Sequence, residues 1–216
     1  MKKAVIFDMD GVISNTQGFH AVAESKILKE FGINICPEKI TAKYAGVSDD
    51  KMFAEILKEN KIAGVDISKV IFKKWEIMQK ITKGKITAIP YAIDLIKLLH
   101  QENFKLAIAS ASPLFFINFI INELKIGNYF NAIVSSEEVR NGKPCPDIFL
   151  LAAKRLKINP LNCVVIEDGK SGMIGAKKAG MKVIGLANDA KKDLPADLIV
   201  SNLRDLSLKK IEKLLI

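Results

Sequence analysis

Short, uncharged apolar runs recur along the chain, each closed by polar or turn-forming residues. Ala4–Phe7, Leu106–Ala109, Ile133–Val134, Cys163–Ile166 and Val183–Leu186 lack the alternation of a half-solvated strand, so they are expected as parallel strands buried on both faces. Helical patterns lie between the later runs, at Tyr91–Gln101, Ile148–Leu156 and Gly172–Ala179. The last stops at Gly180, a residue suited to a helix C-terminus. In SASPLFF, Ser112 is expected as an N-cap with Pro113 at the first helical position. Strand and helix alternate from about residue 86 onward, which predicts an α/β fold with a doubly wound parallel sheet.

From residue 16 to 83 that alternation stops. Helical patterns at His20–Phe31, Asp50–Asn60 and Ser68–Thr82 follow one another with no convincing strand between them. A helical insertion after the first strand is the simplest reading, with its crossings near Ser14–Gln17 and Lys83–Pro90. The chain then divides into residues 1–15 with 84–216, and residues 16–83. No internal repeat or low-complexity tract interrupts either part.

Composition adds limits. With 216 residues, 49% of them hydrophobic and 26% charged, the chain reads as an ordinary globular protein able to bury a substantial core. No apolar stretch approaches the roughly 20 residues of a membrane-spanning helix, and MKKAVIFDMD reaches acid too early for a secretory signal. The expectation is a cytoplasmic protein with no membrane partner. Cys36, Cys145 and Cys163 are odd in number and lack metal-ligand spacing, which points to reduced thiols. The net charge of +9 is dispersed, with no basic run longer than two residues, so a nucleic-acid partner is not expected. Nothing in the sequence sets an oligomeric state.

The chemistry gathers where the strands end. AVIFD closes on Asp8, with Asp10 two residues on, and CVVIED closes on Glu167 and Asp168. Ligands of an open parallel sheet bind beyond the carboxyl ends of its strands. If these two strands are neighbours, four carboxylates meet there, and an all-oxygen cluster suits a hard cation such as Mg²⁺. Either ending alone would read as an aspartate opening a loop. A Walker loop is excluded: Gly169-Lys170-Ser171 would need a glycine at 164, where Val164 stands. LAIASAS ends a strand on Ser110, and GKPCPDIF sets Lys143 in a turn before a helix. Both would suit a phosphate, although Ser110 and Ser112 also read as local caps.

The order FDMDGVI, ASAS, GKPCPDIF and VIEDGKSGMIGAKKAGM resembles the four motifs of the haloacid dehalogenase superfamily, in the branch of beta-phosphoglucomutase and small sugar phosphatases. The likeness spans essentially the whole chain and implies a Rossmann-like catalytic core with an inserted helical cap domain. Carried over motif by motif, Asp8 would be the nucleophile and Asp10 the general acid and base. Mg²⁺ would sit on Asp8, Asp10 through its carbonyl, and Asp168, with Glu167 nearby. Ser110 with Ala111, and Lys143, would bind the phosphoryl group. His20 and Asp49 occupy positions implied to meet substrate. The resemblance thus implies a phosphatase acting on a small phosphorylated metabolite through an aspartyl phosphate.

Two departures stand out. The family commonly has Asp-Thr where this chain reads Asn15-Thr16, and the mutase has an arginine after Gly46-Val47-Ser48 where this chain has Asp49. Asp49 also reads simply as the N-cap of the helix that follows. The alternatives are a beta-phosphoglucomutase and, in another class, a non-catalytic flavodoxin-like phospho-acceptor or binding module.

Overall fold

The computed structural model describes residues 3–44, 47–187 and 193–215; Gly46 of the GVSDD stretch lies outside them. Strand β1 (Ala4–Phe7) is followed by four helices, α1 (Gln17–Glu30), α2 (Pro37–Tyr44), α3 (Asp49–Glu59) and α4 (Ile67–Thr82). Then come α5 (Ala92–Gln101), β2 (Lys105–Ser110), α6 (Leu114–Glu123), β3 (Ala132–Ser135), α7 (Asp147–Leu156), β4 (Cys163–Glu167), α8 (Lys170–Lys178), β5 (Lys182–Leu186), β6 (Leu198–Val200) and α9 (Leu208–Leu214). The chain divides into two compact units, Met1–Asn15 with Ile86–Ile216, and Thr16–Lys85.

The first unit is built on a parallel sheet in the order β3-β2-β1-β4-β5-β6. The uncharged runs form its centre because parallel strands are covered on both faces, and every residue of β1 is buried. Alternate residues point to opposite faces. Ala4, Ile6, Ala107, Ala109, Cys163 and Val165 join Phe149 and Ala152 of α7 and Met173 and Ala176 of α8 in one core cluster. The register pairs Phe7 with Ile108 on one side and Ile166 on the other. The next N–H, that of Asp8, donates to the Ile166 carbonyl at 3.0 Å, so the carboxyl ends of β1 and β4 lie side by side.

Residues 13–15 and 87–89 are also held together in this unit. Ile89 N–H donates to Ile13 O, and Asn15 N–H to Thr87 O, while Thr87 N–H donates to Asn15 Oδ1 at 3.0 Å. Asn15 thus keeps the acceptor that an aspartate would supply there and drops its charge.

The second unit packs the apolar stripes of its helices together, including Ile27 and Leu28 of α1, Ile40 of α2, Phe53 and Ile56 of α3 and Val70 of α4. Some local expectations need correction. Helix α6 starts at Leu114 with Pro113 at the N-cap position, because the Ser112 hydroxyl is taken by Asp10 and Glu137 accepts from Leu114 N–H instead. Helix α3 begins at Asp49, with Ser48 at its N-cap position, so Asp49 is not the cap. Helix α2 and strand β6 were absent from the sequence pattern.

Candidate active site

Each site residue of the sheet unit is placed by the end of a strand or by the loop beyond it. Asp8 follows β1, Ser110 closes β2, and Glu167 and Asp168 close and follow β4. Asp8, Glu167 and Asp168 each offer a carboxylate oxygen within 4.8 Å of the others. Lys143, from the loop before α7, reaches into this group. Its Nζ donates to Asp8 Oδ1 and, at 2.7 Å, to Glu167 Oε1, and lies over the Phe149 ring. Phe149 is a core residue of α7, so packing fixes the wall behind the ammonium.

Asp10 stands in the tight turn after β1, where Gly11 adopts φ +91°, a conformation that favours glycine. Asp10 Oδ2 accepts from Ser112 Oγ at 2.7 Å and from Ser110 Oγ at 3.4 Å. Ser110 Oγ accepts from Ser112 N–H. The Ala111 and Ser112 carbonyls accept from Ser136 and Ser135 hydroxyls. The 110–112 loop is therefore pinned on both sides, and its hydroxyls orient Asp10.

Burial and crowding set the protonation. Burial pushes the Asp8 carboxyl well above its usual range; Lys143 pulls it down, while Glu167, Asp168 and Asp10 push it up again. Burial and then the Glu167 charge raise Asp168 to about 7. Burial opposes the Lys143 charge, but Asp8 and Glu167 outweigh it and hold the ammonium protonated above its ordinary range. One ammonium thus faces more carboxylates than it can neutralise. That surplus, carried by oxygen atoms alone, fits a hard divalent cation.

His20 and Asp49 belong to the helical unit, where a third residue joins them. Lys74 of α4 is 1% exposed. Its Nζ donates to Asp49 Oδ2 at 2.8 Å and Oδ1 at 3.0 Å, lies 3.1 Å from His20 Nδ1 and 3.5 Å from Glu24 Oε1, and sits over the Trp75 ring. An ammonium has only donors, so a hydrogen bond between Lys74 Nζ and His20 uses Nδ1 as the acceptor. Burial raises the Glu24 carboxyl, against the pull of Lys74. Lys74 was not singled out in the sequence. Its signal was there: Val70, Lys74, Met78 and Thr82 share one buried stripe of α4, and a lysine on that stripe must find partners. Ser112 as a partner of Asp10 was also missed, because the serine looked like a helix cap.

The family model for haloacid dehalogenase-like hydrolases matches residues 5–186. The chain belongs to that family. Among its relatives, the beta-phosphoglucomutase of Bacillus subtilis is 33% identical over 98% of this chain and 94% of its own length. A fructose-1-phosphate phosphatase of Escherichia coli is 29% identical over 83% of this chain and 94% of its own. The crystal structure of a beta-phosphoglucomutase from Clostridium difficile superposes with a TM-score of 0.87 at 30% identity, covering 100% of this chain and 97% of that one. The Rossmann-like α/β fold of this hydrolase family is therefore the fold of this chain, and its enzyme class is phosphatase.

Proposed function

We propose that the chain is a Mg²⁺-dependent phosphatase of small phosphomonoesters, with sugar phosphates as its substrate class, and that it turns over through a phosphoaspartate on Asp8. The observation that carries this reading is the Lys143 ammonium shared between Asp8 and Glu167, beside an Asp10 oriented by two serine hydroxyls. A halide would leave without a proton, whereas an alkoxide leaving a phosphate needs one, and Asp10 would give it.

Asp8, Asp168 and the Asp10 carbonyl, with Glu167 nearby, would hold the Mg²⁺. When bound, that ion screens the repulsion between a carboxylate nucleophile and a phosphate dianion. An Asp8 carboxylate oxygen forms a bond to phosphorus as the ester oxygen leaves, and Asp10 protonates that oxygen. Asp10 then takes a proton from water as the water oxygen attacks phosphorus. Inorganic phosphate departs and the Asp8 carboxylate returns. Lys143 offsets charge on the transferring group, and the Ser110 hydroxyl with the 110–112 loop supports its oxygens.

The mutase reading requires a cation for a second phosphate. At the departing position this chain has Asp49, and the nearby cation Lys74 is already engaged by both Asp49 oxygens and by Glu24. That favours hydrolysis. The test is phosphate release over a panel of sugar phosphates, nucleotides and glycolytic acids, with β-glucose 1-phosphate plus a priming bisphosphate included. Release is expected to outpace glucose 6-phosphate formation there. The Asp8→Asn variant should remain folded and lose turnover by on the order of 10³-fold or more. Efficient isomerisation with little phosphate release would promote the mutase, and wild-type-like turnover in Asp8→Asn would sink the covalent scheme.

A further inference from the structure

We propose that Gly172 is a positioning residue: its missing side chain is the space in which the Glu167 carboxylate sits, and through Glu167 it fixes Lys143 beside the nucleophile. The catalytic part of this inference rests on the phosphatase reading above. Gly172 lies within α8, and its φ is not among the positive values, so no backbone demand calls for glycine. Alanine would favour the helix. A Cβ at that position, however, would lie 1.6 Å from Glu167 Oε1, 2.2 Å from its Cδ and 2.9 Å from its Cγ. Glu167 would have to leave.

Glu167 is 3% exposed and has both oxygens engaged. Oε1 accepts from Lys143 Nζ at 2.7 Å, and Oε2 accepts from Gly169 N–H at 2.7 Å, at the start of α8. One turn beyond Gly172, a Cβ on Gly175 would come within 3.0 Å of the Cys145 carbonyl. The same helix face is therefore pressed against the loop that carries Lys143. Glycines at 172 and 175 let the helix close on the carboxylate and the lysine loop together.

The chemistry needs this second anchor. When Asp8 becomes an acyl phosphate its carboxylate charge is lost with the leaving oxygen, the nearest anion is then the phosphoryl group, and Lys143, tied to Asp8 alone, would shift toward it. Glu167 keeps a counter-charge on the buried ammonium through both half-reactions, so Lys143 holds its place. A displacement on the ångström scale at such a point costs large factors in rate.

The test is a double-variant cycle, Gly172→Ala and Glu167→Ala singly and together, read by steady-state kinetics with Mg²⁺ and by thermal melting in chelator without it. Gly172→Ala should lower kcat by about tenfold or more while KM stays within about threefold, and should lower the melting temperature despite alanine's preference for helix. In the Glu167→Ala background the same substitution should lower neither, and should raise the melting temperature, because the steric conflict is gone and the helix preference remains. Wild-type kcat in Gly172→Ala, or an equal loss of stability in both backgrounds, would overturn the assignment. If Gly172→Ala alone fails to fold, the double variant must still fold and melt at or above Glu167→Ala, and its failure would count against us. The reversal in melting is read without substrate or metal, so it stands or falls separately from the phosphatase reading.

Discussion

Replacing Lys143 by methionine keeps most of the side-chain stem and removes the ammonium between two buried carboxylates. Asp8 is 6% exposed and Glu167 3%, so solvent cannot compensate either. Removing one partner of a buried ion pair costs about 3–5 kcal/mol, chiefly because the other charge is left unpaired. For a chain of this length that corresponds to a fall in melting temperature on the order of 10 °C. The loss should depend on pH. Burial raises the Asp8 carboxyl and Lys143 restrains that rise, so the variant's Asp8 must hold its proton more tightly than the wild type's. Below both folded values the group is neutral in both proteins and adds no deficit. As pH rises through the window between them the deficit grows by about 1.4 kcal/mol per unit. Thermal and urea melts of both proteins at pH 5 and pH 7.5, in chelator so that no cation replaces the ammonium, measure it. The deficit should be larger at the higher pH. A total deficit under about 1 kcal/mol at pH 7.5, or one that grows on acidification, would refute a buried, charge-compensating Lys143.

Exhaustive chelation should abolish turnover and Mg²⁺ restore it, with Ca²⁺, looser in its coordination, supporting little; undiminished activity after chelation would remove the metal from the mechanism. Because Asp168 is raised to about 7, a proton competes with the cation below that pH, so the half-activating Mg²⁺ concentration should rise about tenfold per unit as pH falls below 7 and level off above 8. A flat Mg²⁺ requirement from pH 6 to 8 would contradict that competition. Lys74→Met should destabilise the Thr16–Lys85 unit by about 3–5 kcal/mol by stranding Asp49 and Glu24. Hydrogen exchange of α1, α3 and α4 reads this, and unchanged protection would show that the cluster contributes no stability.

The central sheet was legible because β1 and the interiors of β2 and β4 are buried, which leaves uncharged runs at Ala4–Phe7, Leu106–Ala109 and Cys163–Ile166. The edges were not. Leu198–Val200 has only three residues with Ile199 partly exposed, too short and too mixed to stand out, and eight-residue α2 is barely two turns. Strand β3 extends to Ser135, a polar residue that the apolar pattern could not claim. In the site, Asp8, Glu167 and Asp168 were readable together once two strands were seen to end alike, since neighbouring parallel strands bring their ends together. Ser112, Lys74 and Gly172 were not, because each owes its identity to a partner distant in sequence or across a turn. A hydroxyl that serves Asp10 looks like a cap, and a helix glycine that makes room for a carboxylate looks like a weak helix former.

The paired crossing at residues 13–15 and 87–89 also bears on how such chains diversify. The 70 residues from Thr16 to Lys85 leave and rejoin the sheet unit at points joined by Asn15, Thr87, Ile13 and Ile89 hydrogen bonds. With the ends of the insert held side by side, lengthening it adds closure entropy only slowly, about 0.6 kcal/mol for each doubling of its length. The strands that place Asp8 and Glu167 keep their register without reference to what lies between those ends. The helical segment is in effect a cassette, open to replacement, shortening or elaboration while the acid-bearing strand ends stay where they are.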